Sequence, residues 1–220
     1  RVIVDLSNSI FYLDDLIIFN ITWEEHMVEF RRVLERFRTH KLKFKPSKTS
    51  IGCEGVDYLG FLVSNKGIKP LPKKQQEIES WKPPENPEAI VRFLGLVGFY
   101  RPFVYRFSEL EAPLRKLCTK EAKKHPFVLT EEARKSFEAL KSALILPPLL
   151  MHPDMNKPFE IRVDSSKVGT GSALLQRDEN NKPHPIRFSA KTFTKTQQNY
   201  SPLEREALGL VIAMTQSYRQ

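Results

Sequence analysis

Two adjacent aspartates, Asp14 and Asp15, stand inside a strongly apolar segment and are the first residues of the sequence that suggest chemistry. The apolar runs Phe11–Leu13 and Leu16–Phe19 flank them, and their β-branched and aromatic residues predict two strands joined by a turn at the acidic pair. Neighbouring carboxylates repel each other unless a cation compensates, and Mg²⁺ prefers oxygen ligands of this kind. The pair is therefore a candidate metal site for phosphoryl transfer, and the alternative is an exposed acidic turn.

Asp164 and Glu206 form a second candidate pair, because each carboxylate is predicted at the boundary of a buried surface. The segment Phe159–Asp164 alternates apolar and polar residues, which predicts a strand with one buried face that ends at the aspartate. Glu206 is expected on a helix, at the margin of its apolar stripe, where an unpaired carboxylate is disfavoured. A strand-end aspartate that faces a glutamate on a helix would suit a shared metal, although each residue alone is more often a surface carboxylate.

The elements around this second pair predict an α/β unit. The strand that ends at Asp164 is expected to lie centrally in a sheet, with Thr170–Gln176 antiparallel beside it and His184–Ala190 as a further strand. Ser201 and Glu204 predict the start of the closing helix. This helix is expected to pack across the sheet through its apolar stripe, which comprises Leu203, Ala207, Leu210 and Met214.

The remaining patterns divide the chain into three predicted pieces with an α+β architecture. In residues 1–67, Thr22 and Glu25 form a capping box ahead of an amphipathic helix, and a strand-like segment follows. Residues 68–146 are punctuated by prolines and carry the periodicity of short helices. Residues 147–220 contain the predicted α/β unit.

Net charge and cysteine usage narrow the classes of function. The 220-residue chain has a net charge of +9, and Arg31–Lys48 holds eight basic residues against the single acid Glu35. A basic surface favours a polyanionic partner, although such a run is as often a solvated helix face. Cys53 and Cys118 lack the spacing of a zinc site and are expected to be buried thiols in a reducing compartment. No apolar run approaches the ~18 residues of a membrane span, and a start at Arg1 suggests a piece of a longer protein.

The sequence resembles the reverse transcriptases of gypsy-type LTR retrotransposons. Four separated motifs occur in the order in which that family has them, at similar spacings. YLDD, the capped helix, the basic tail and YLGFLVS resemble the end of the polymerase palm. FLGLVGFYRPFV and LEAPLRKL resemble the thumb, and the segments from FEIRVDSS to NYSPLEREALGLVIAM resemble the first half of the attached ribonuclease H. The resemblance covers the chain from about Phe11 onward. It implies a partial palm, a helical thumb and a partial ribonuclease H-like α/β domain.

The resemblance also implies a role for each matching residue. Catalytic metal ligands, with Mg²⁺ or Mn²⁺ as the cofactor, would be Asp14, Asp15, Asp164 and Glu206. Contacts with the template–primer would be made by Tyr12, Tyr58, Leu59, Gly60, Phe61, Gly95 and Phe99. The implied activities are RNA-directed DNA synthesis, in which the primer 3′-hydroxyl attacks, and hydrolysis of the RNA strand of a hybrid, in which water attacks. The implied partners are an RNA/DNA template–primer and, for the parent polyprotein, deoxynucleoside triphosphates, with no membrane.

The same resemblance predicts that neither centre is complete within these residues. The family has fingers and an earlier polymerase aspartate before the matching region, and further ribonuclease H carboxylates after it. Val4–Asn8 resembles the earlier motif slightly, with Asp5 in the corresponding place, but a hairpin fold of Arg1–Asp15 would leave Asp5 roughly 10 Å from Asp14 at ~3.3 Å per residue. We therefore expect a fragment of a polymerase and nuclease that is inactive alone. The alternatives are an inactive, nucleic-acid-binding remnant of a retroelement and a cellular ribonuclease H fused to an unrelated domain, which the YLDD and thumb motifs disfavour.

Overall fold

The computed structural model describes residues 8–218 and divides the chain into two compact units, Arg1–Asn65 and Lys66–Gln220. Helices and strands are mixed along both units, which confirms the predicted α+β class. Asp5 lies outside the described residues. Within residues 8–218, none of the helices combines the length and the apolar character needed to cross a membrane.

The first unit contains two antiparallel hairpins with a helix between them. The first hairpin pairs β1 (Ser9–Tyr12) with β2 (Asp15–Ile18), and the second pairs β3 (Gly55–Tyr58) with β4 (Phe61–Ser64). Helix α1 spans Trp23–Thr39. The predicted capping box is confirmed, because the Glu25 backbone N–H donates to the Thr22 hydroxyl at 3.2 Å and the Thr22 N–H donates to the Glu25 carboxylate at 3.3 Å.

The second unit begins with a helical region around a dense aromatic core. Its elements are β5 (Gly67–Pro70), α2 (Pro72–Glu79), α3 (Pro87–Phe99), α4 (Phe107–Lys116) and α5 (Glu131–Ile145). Phe93 of α3 and Phe137 of α5 are fully buried, with ring centroids 4.6 Å apart. Pairs of this geometry add to the free energy gained from burying apolar surface, so this contact stabilises the packing of α3 against α5.

A three-stranded antiparallel sheet and two further helices complete the second unit. The strands are β6 (Glu160–Ser165), β7 (Gly169–Arg177) and β8 (Pro183–Thr192), in the order β6-β7-β8, and the helices are α6 (Lys195–Gln198) and α7 (Pro202–Tyr218). The pairing of β6 with the Thr170–Gln176 segment is confirmed. The expectation that β6 lies centrally is wrong for the described residues, because β7 separates it from β8 and β6 forms an edge of the sheet.

Helix α7 contacts the sheet through a face that differs from the predicted one. Its buried residues are Gly209, Ile212 and Ala213, whereas the predicted stripe of Leu203, Ala207, Leu210 and Met214 is exposed. The physical reason is close approach, since a methyl group at Gly209 would meet Val163 Cγ1 at 3.2 Å. Small residues let a helix lie close to a sheet, and here that packing outweighs the burial of the larger side chains.

The two faces of the sheet are covered by different parts of the second unit. Thr170 and Gly171 are neighbours on β7, so their side-chain positions point to opposite faces. The Thr170 hydroxyl lies 2.8 Å from the position of a Gly209 Cβ, which assigns α7 to one face. A Gly171 Cβ would lie 2.9 Å from Arg106 Cγ, which assigns the segment before α4 to the other face. Because Asp164 pairs with Gly171, its side chain projects from the face opposite α7.

The cysteine prediction is wrong for one of the two thiols. Cys53 is exposed, because it lies in the irregular segment before β3 rather than in a core-facing element. Cys118 is partly buried, and its thiol donates a weak hydrogen bond to the Pro87 carbonyl at 3.6 Å. Burial raises the pKa of the Cys118 thiol, which makes this thiol less reactive.

Candidate nucleic-acid and metal sites

The hairpin of β1 and β2 carries the acidic pair at its tip. Tyr12 pairs directly with Asp15, so the turn between the strands contains Leu13 and Asp14 alone. Leu13 adopts a left-handed backbone with φ of 53°, which a tight hairpin turn requires. The Asp14 and Asp15 carboxylates are both exposed to solvent. This confirms the prediction of a strand-turn-strand tip with an accessible carboxylate.

The second hairpin of the first unit brings Tyr58 next to this tip. Leu59 and Gly60 form its turn with φ values of 49° and 84°, the left-handed pair that a two-residue hairpin turn favours. The Tyr58 hydroxyl donates to the Ile10 carbonyl of β1 at 3.4 Å. Burial, and then the negative charge of Asp15, raise the pKa of Tyr58. The structure thus brings the YLGF segment, which ends at the partly buried Phe61, beside the acidic hairpin.

Helix α3 presents an exposed stripe on the face opposite its core residues. Its N-terminus is fixed by Asn86, whose side chain accepts the Ala89 N–H at 2.8 Å. Phe99 is 51% exposed, and a methyl group at Gly95 would meet no atom within 4 Å. Arg92 lies on the same exposed face. A helix face with bare backbone, an aromatic ring and a cation has the features that close approach to a nucleic-acid strand requires.

Asp164 does not stand alone at the end of its strand. Arg106 Nη1 lies 2.9 Å from Asp164 Oδ2, while Arg106 Nη2 lies 2.7 Å from Glu109 Oε2. Arg106 precedes α4 with φ of 54° and ψ of 34°, a left-handed conformation that costs an L-residue about 1–2 kcal/mol. Tyr105 packs against Phe188 of β8 with ring centroids 5.7 Å apart. Burial, and then the charge of Asp164, raise the pKa of Tyr105.

Glu206 lies on α7, one turn before Gly209, and its side chain is exposed. The helix covers one face of the sheet, and Asp164 projects from the other. Asp164 contacts Arg106, and the pairing of Asp164 with Glu206 at one metal stays a prediction.

Sequence reasoning missed the contact between Arg106 and Asp164. The arginine precedes a helix in a different predicted piece of the chain, and no local spacing links the two residues. The one available signal is Gly171, which tolerates the close approach of another backbone to the sheet.

The chemistry of the donor set decides how well each pair suits a divalent metal. Asp14 and Asp15 are adjacent, exposed and provide the hard oxygen ligands that Mg²⁺ or Mn²⁺ prefers, so this pair fits. The Asp164 carboxylate also provides oxygen ligands but is engaged by a guanidinium. Within the part of the chain that the structure describes, no three His, Cys, Asp or Glu side chains cluster as metal ligands.

Comparison with protein families and curated sequences identifies relatives over nearly the whole chain. Residues 129–219 match the model of the RNase H-like domain found in reverse transcriptase. The retrovirus-related Pol polyprotein from transposon 412 of Drosophila melanogaster is 34% identical over 92% of this chain and 16% of its own length. The polyprotein of transposon 297 of the same species is 33% identical over 97% of the chain and 19% of its own length. The Tf2-3 polyprotein of Schizosaccharomyces pombe is 28% identical over 93% of the chain and 15% of its own length. The chain thus spans about a fifth or less of these relatives.

Solved structures share the fold of the chain. A foamy viral protease-reverse transcriptase dRH in complex with double-stranded DNA superposes with a TM-score of 0.84 at 21% identity, over 99% of this chain and 38% of that protein. A foamy viral protease-reverse transcriptase in complex with an RNA/DNA hybrid gives a TM-score of 0.80 at 21% identity, over 99% of this chain and 29% of that protein. This likeness shows the fold. The family and sequence matches show that the chain belongs to the reverse transcriptase and ribonuclease H region of gypsy-type retrotransposon Pol polyproteins.

Proposed function

We propose that this chain contributes the acidic hairpin, the primer-gripping hairpin and the thumb of an RNA-directed DNA polymerase, together with part of its ribonuclease H. The observation that carries the proposal is the exposed Asp14–Asp15 tip with Tyr58 beside it. The proposed division of labour follows the pieces 1–67, 68–146 and 147–220. Relatives named as Pol polyproteins, and fold neighbours in complex with DNA or an RNA/DNA hybrid, support it.

Asp14 and Asp15 are the proposed ligands of the polymerase metal. A bound Mg²⁺ or Mn²⁺ would supply Lewis-acid activation for phosphoryl transfer from a deoxynucleoside triphosphate. The protein positions these carboxylates through the short turn, which holds both at the outer end of two paired strands. Tyr12 lies directly opposite Asp15 and is more than half exposed, so its ring can pack against a nucleotide next to the metal ligands.

Two surfaces are proposed to hold the template–primer. In the first unit, the turn of Leu59 and Gly60, together with Phe61, would press on the primer strand, and the basic side chains of Arg31–Lys48, most of which are exposed, would contact phosphates. In the second unit, the bare backbone at Gly95 would enter a groove while Phe99 packs on sugars or bases. Contacts of these kinds recognise a duplex by its shape and charge rather than by its sequence.

Asp164 and Glu206 are the proposed ribonuclease H ligands, with the same choice of metal. The match of residues 129–219 to an RNase H-like domain supports this assignment. A second candidate function is that of a retroelement-derived, catalytically inactive module that binds nucleic acid. The ion pair of Arg106 with Asp164 favours it, because it neutralises a carboxylate that hydrolysis would need.

Both candidate functions require nucleic-acid binding. Fluorescence anisotropy of a labelled RNA/DNA hybrid tests that binding. Affinity should fall about tenfold or more between about 50 and about 200 mM salt, because neutralising even two phosphates releases counterions on that scale. Phe99→Ala should weaken binding about tenfold through the loss of one stacking contact. The matched control is Leu203→Ala, which removes an exposed apolar side chain from α7. Salt-independent binding, or equal effects of the two substitutions, would contradict the proposal.

A metal-binding experiment distinguishes the two candidate functions, the enzyme and the inactive nucleic-acid-binding module. Titration with Mn²⁺, followed by electron paramagnetic resonance of the free ion, should show a hairpin site, so that the variant with both Asp14→Asn and Asp15→Asn binds one ion fewer than its parent. Retention of that site in the double variant would refute the assignment of the hairpin. Primer extension by the full polyprotein should be lost in the same variant, while hybrid binding should persist because the two duplex-binding surfaces are unchanged.

A further inference from the structure

We propose that Arg106 serves as a built-in cation at Asp164 that a divalent metal ion must displace before it can bind this carboxylate. The proposal rests on the metal-binding role proposed for Asp164, and it adds the residue that controls access to that ligand. It also links two parts of the second unit, since Arg106 belongs to the segment before α4 and Asp164 to β6.

The position of Arg106 is fixed from several sides. Its Cα and Cγ atoms lie over Gly171, where a Cβ would come within 3.1 Å and 2.9 Å of them. Gly171 is the cross-strand partner of Asp164, so the arginine backbone rests beside the carboxylate that its side chain contacts. Glu109 holds the second terminal nitrogen of the guanidinium at 2.7 Å and raises the pKa of Arg106. The guanidinium is therefore oriented toward Asp164 rather than lying on the surface.

A divalent metal ion and the Arg106 guanidinium would compete for the same negative charge, which is that of the Asp164 carboxylate. Arg106 Nη1 donates toward Asp164 Oδ2 across 2.9 Å, which is the geometry of a charge-assisted hydrogen bond. A divalent cation bound to the carboxylate would stand a few ångströms from the guanidinium, and two positive charges at that spacing repel. The side chains of Arg106 and Asp164 are 38% and 45% exposed to water, so the exchange requires no opening of a core.

The test is a Mn²⁺ titration of the full chain in the Asp14→Asn, Asp15→Asn background, which removes the proposed hairpin site. Arg106→Asn keeps a residue that tolerates the left-handed backbone, and Arg106→Gly provides a second variant of the same kind. The matched control is Arg162→Asn, which removes an equal charge from the same face of β6, where Arg162 pairs with Glu160 at 2.7 Å. Far-ultraviolet circular dichroism checks that each variant is folded.

We expect Arg106→Asn and Arg106→Gly to tighten Mn²⁺ binding about two- to fivefold, the scale of a partly exposed ion pair, while Arg162→Asn leaves it unchanged. Asp164→Asn should abolish the binding. If Asp164→Asn abolishes binding but the Arg106 variants leave it unchanged or weaker, the metal role of Asp164 stands and the proposed competition is refuted. If Asp164→Asn has no effect on Mn²⁺ binding, the metal role itself fails, and the competition fails with it.

Discussion

Replacement of Gly209 by alanine tests how closely α7 lies on the sheet. A Cβ at this position would collide with Ser165 Oγ and would lie 2.8 Å from Thr170 Oγ1. Ser165 has little freedom to move away, because its hydroxyl donates to Thr170 Oγ1 at 3.2 Å. The added methyl group therefore forces either a shift of the helix or the loss of this hydrogen bond.

The net effect is the balance of opposing contributions. Overpacking costs about 1–3 kcal/mol, and loss of the hydroxyl hydrogen bond costs about 1 kcal/mol. Alanine in a helix interior is favoured over glycine by about 1 kcal/mol, which offsets part of that cost. Gly209→Ala should therefore lower the free energy of unfolding by about 1–3 kcal/mol. The same substitution at Gly95 should raise it by about 0.5–1 kcal/mol, because its methyl group would meet nothing and only helix propensity changes.

Urea unfolding followed by Trp81 fluorescence provides the measurement. Trp81 lies in the second unit, and a Trp23→Phe background removes the other tryptophan, so the signal reports this unit alone. Adding Ser165→Ala to Gly209→Ala should restore part of the lost stability, since the atom nearest to the new methyl group is gone. A Gly209→Ala protein as stable as its parent would refute the close packing of α7. So would equal responses to Gly209→Ala and Gly95→Ala.

Two further predictions concern the same sheet and helix. Ile212→Ala should lower the free energy of unfolding by about 2–3 kcal/mol, because Ile212 is buried. Leu210→Ala should change it by about 0.5 kcal/mol or less, because Leu210 is half exposed. Equal losses of stability in urea unfolding would contradict the assignment of the buried face. Tyr105 has a raised pKa in the folded chain, so its contribution to stability is complete below pH 10.0 and is lost as the pH rises through the folded pKa. Asp164→Asn should lower that pKa and reduce this alkaline loss; an unchanged phenolate titration, assigned by difference with Tyr105→Phe, would contradict the proximity of the two groups.

Local patterns made the acidic hairpin predictable. Asp14 and Asp15 interrupt two apolar runs, and both the turn and its pairing arise from residues within a few positions of each other. The capping box at Thr22 and Glu25 is local in the same sense. The interactions that stabilise the hairpin and the capping box connect residues that are close in the sequence. The local residue pattern is therefore enough to predict both.

The face of α7 was not predictable from periodicity alone. The helix carries apolar residues on more than one side, and the larger ones, Leu203, Leu210 and Met214, indicated the wrong face. Packing against β6 and β7 instead selects Gly209 and Ala213, because small residues permit close contact between a helix and a sheet. Hydrophobic size favours burial in general, but the neighbouring surface determines which side of a helix is buried.

The register of the sheet limits where a metal shared by Asp164 and Glu206 would lie. Asp164 pairs with Gly171 and projects from the face that Arg106 covers, whereas Ser165 pairs with Thr170 on the face that α7 covers. A ligand that touches both carboxylates therefore has to pass around β6 rather than lie on either face. Within the described residues β6 is an edge strand of this sheet. The side chain in contact with Asp164 is Arg106, so under the mechanism that we propose the ion pair, rather than the sheet itself, is the barrier to metal binding at this carboxylate.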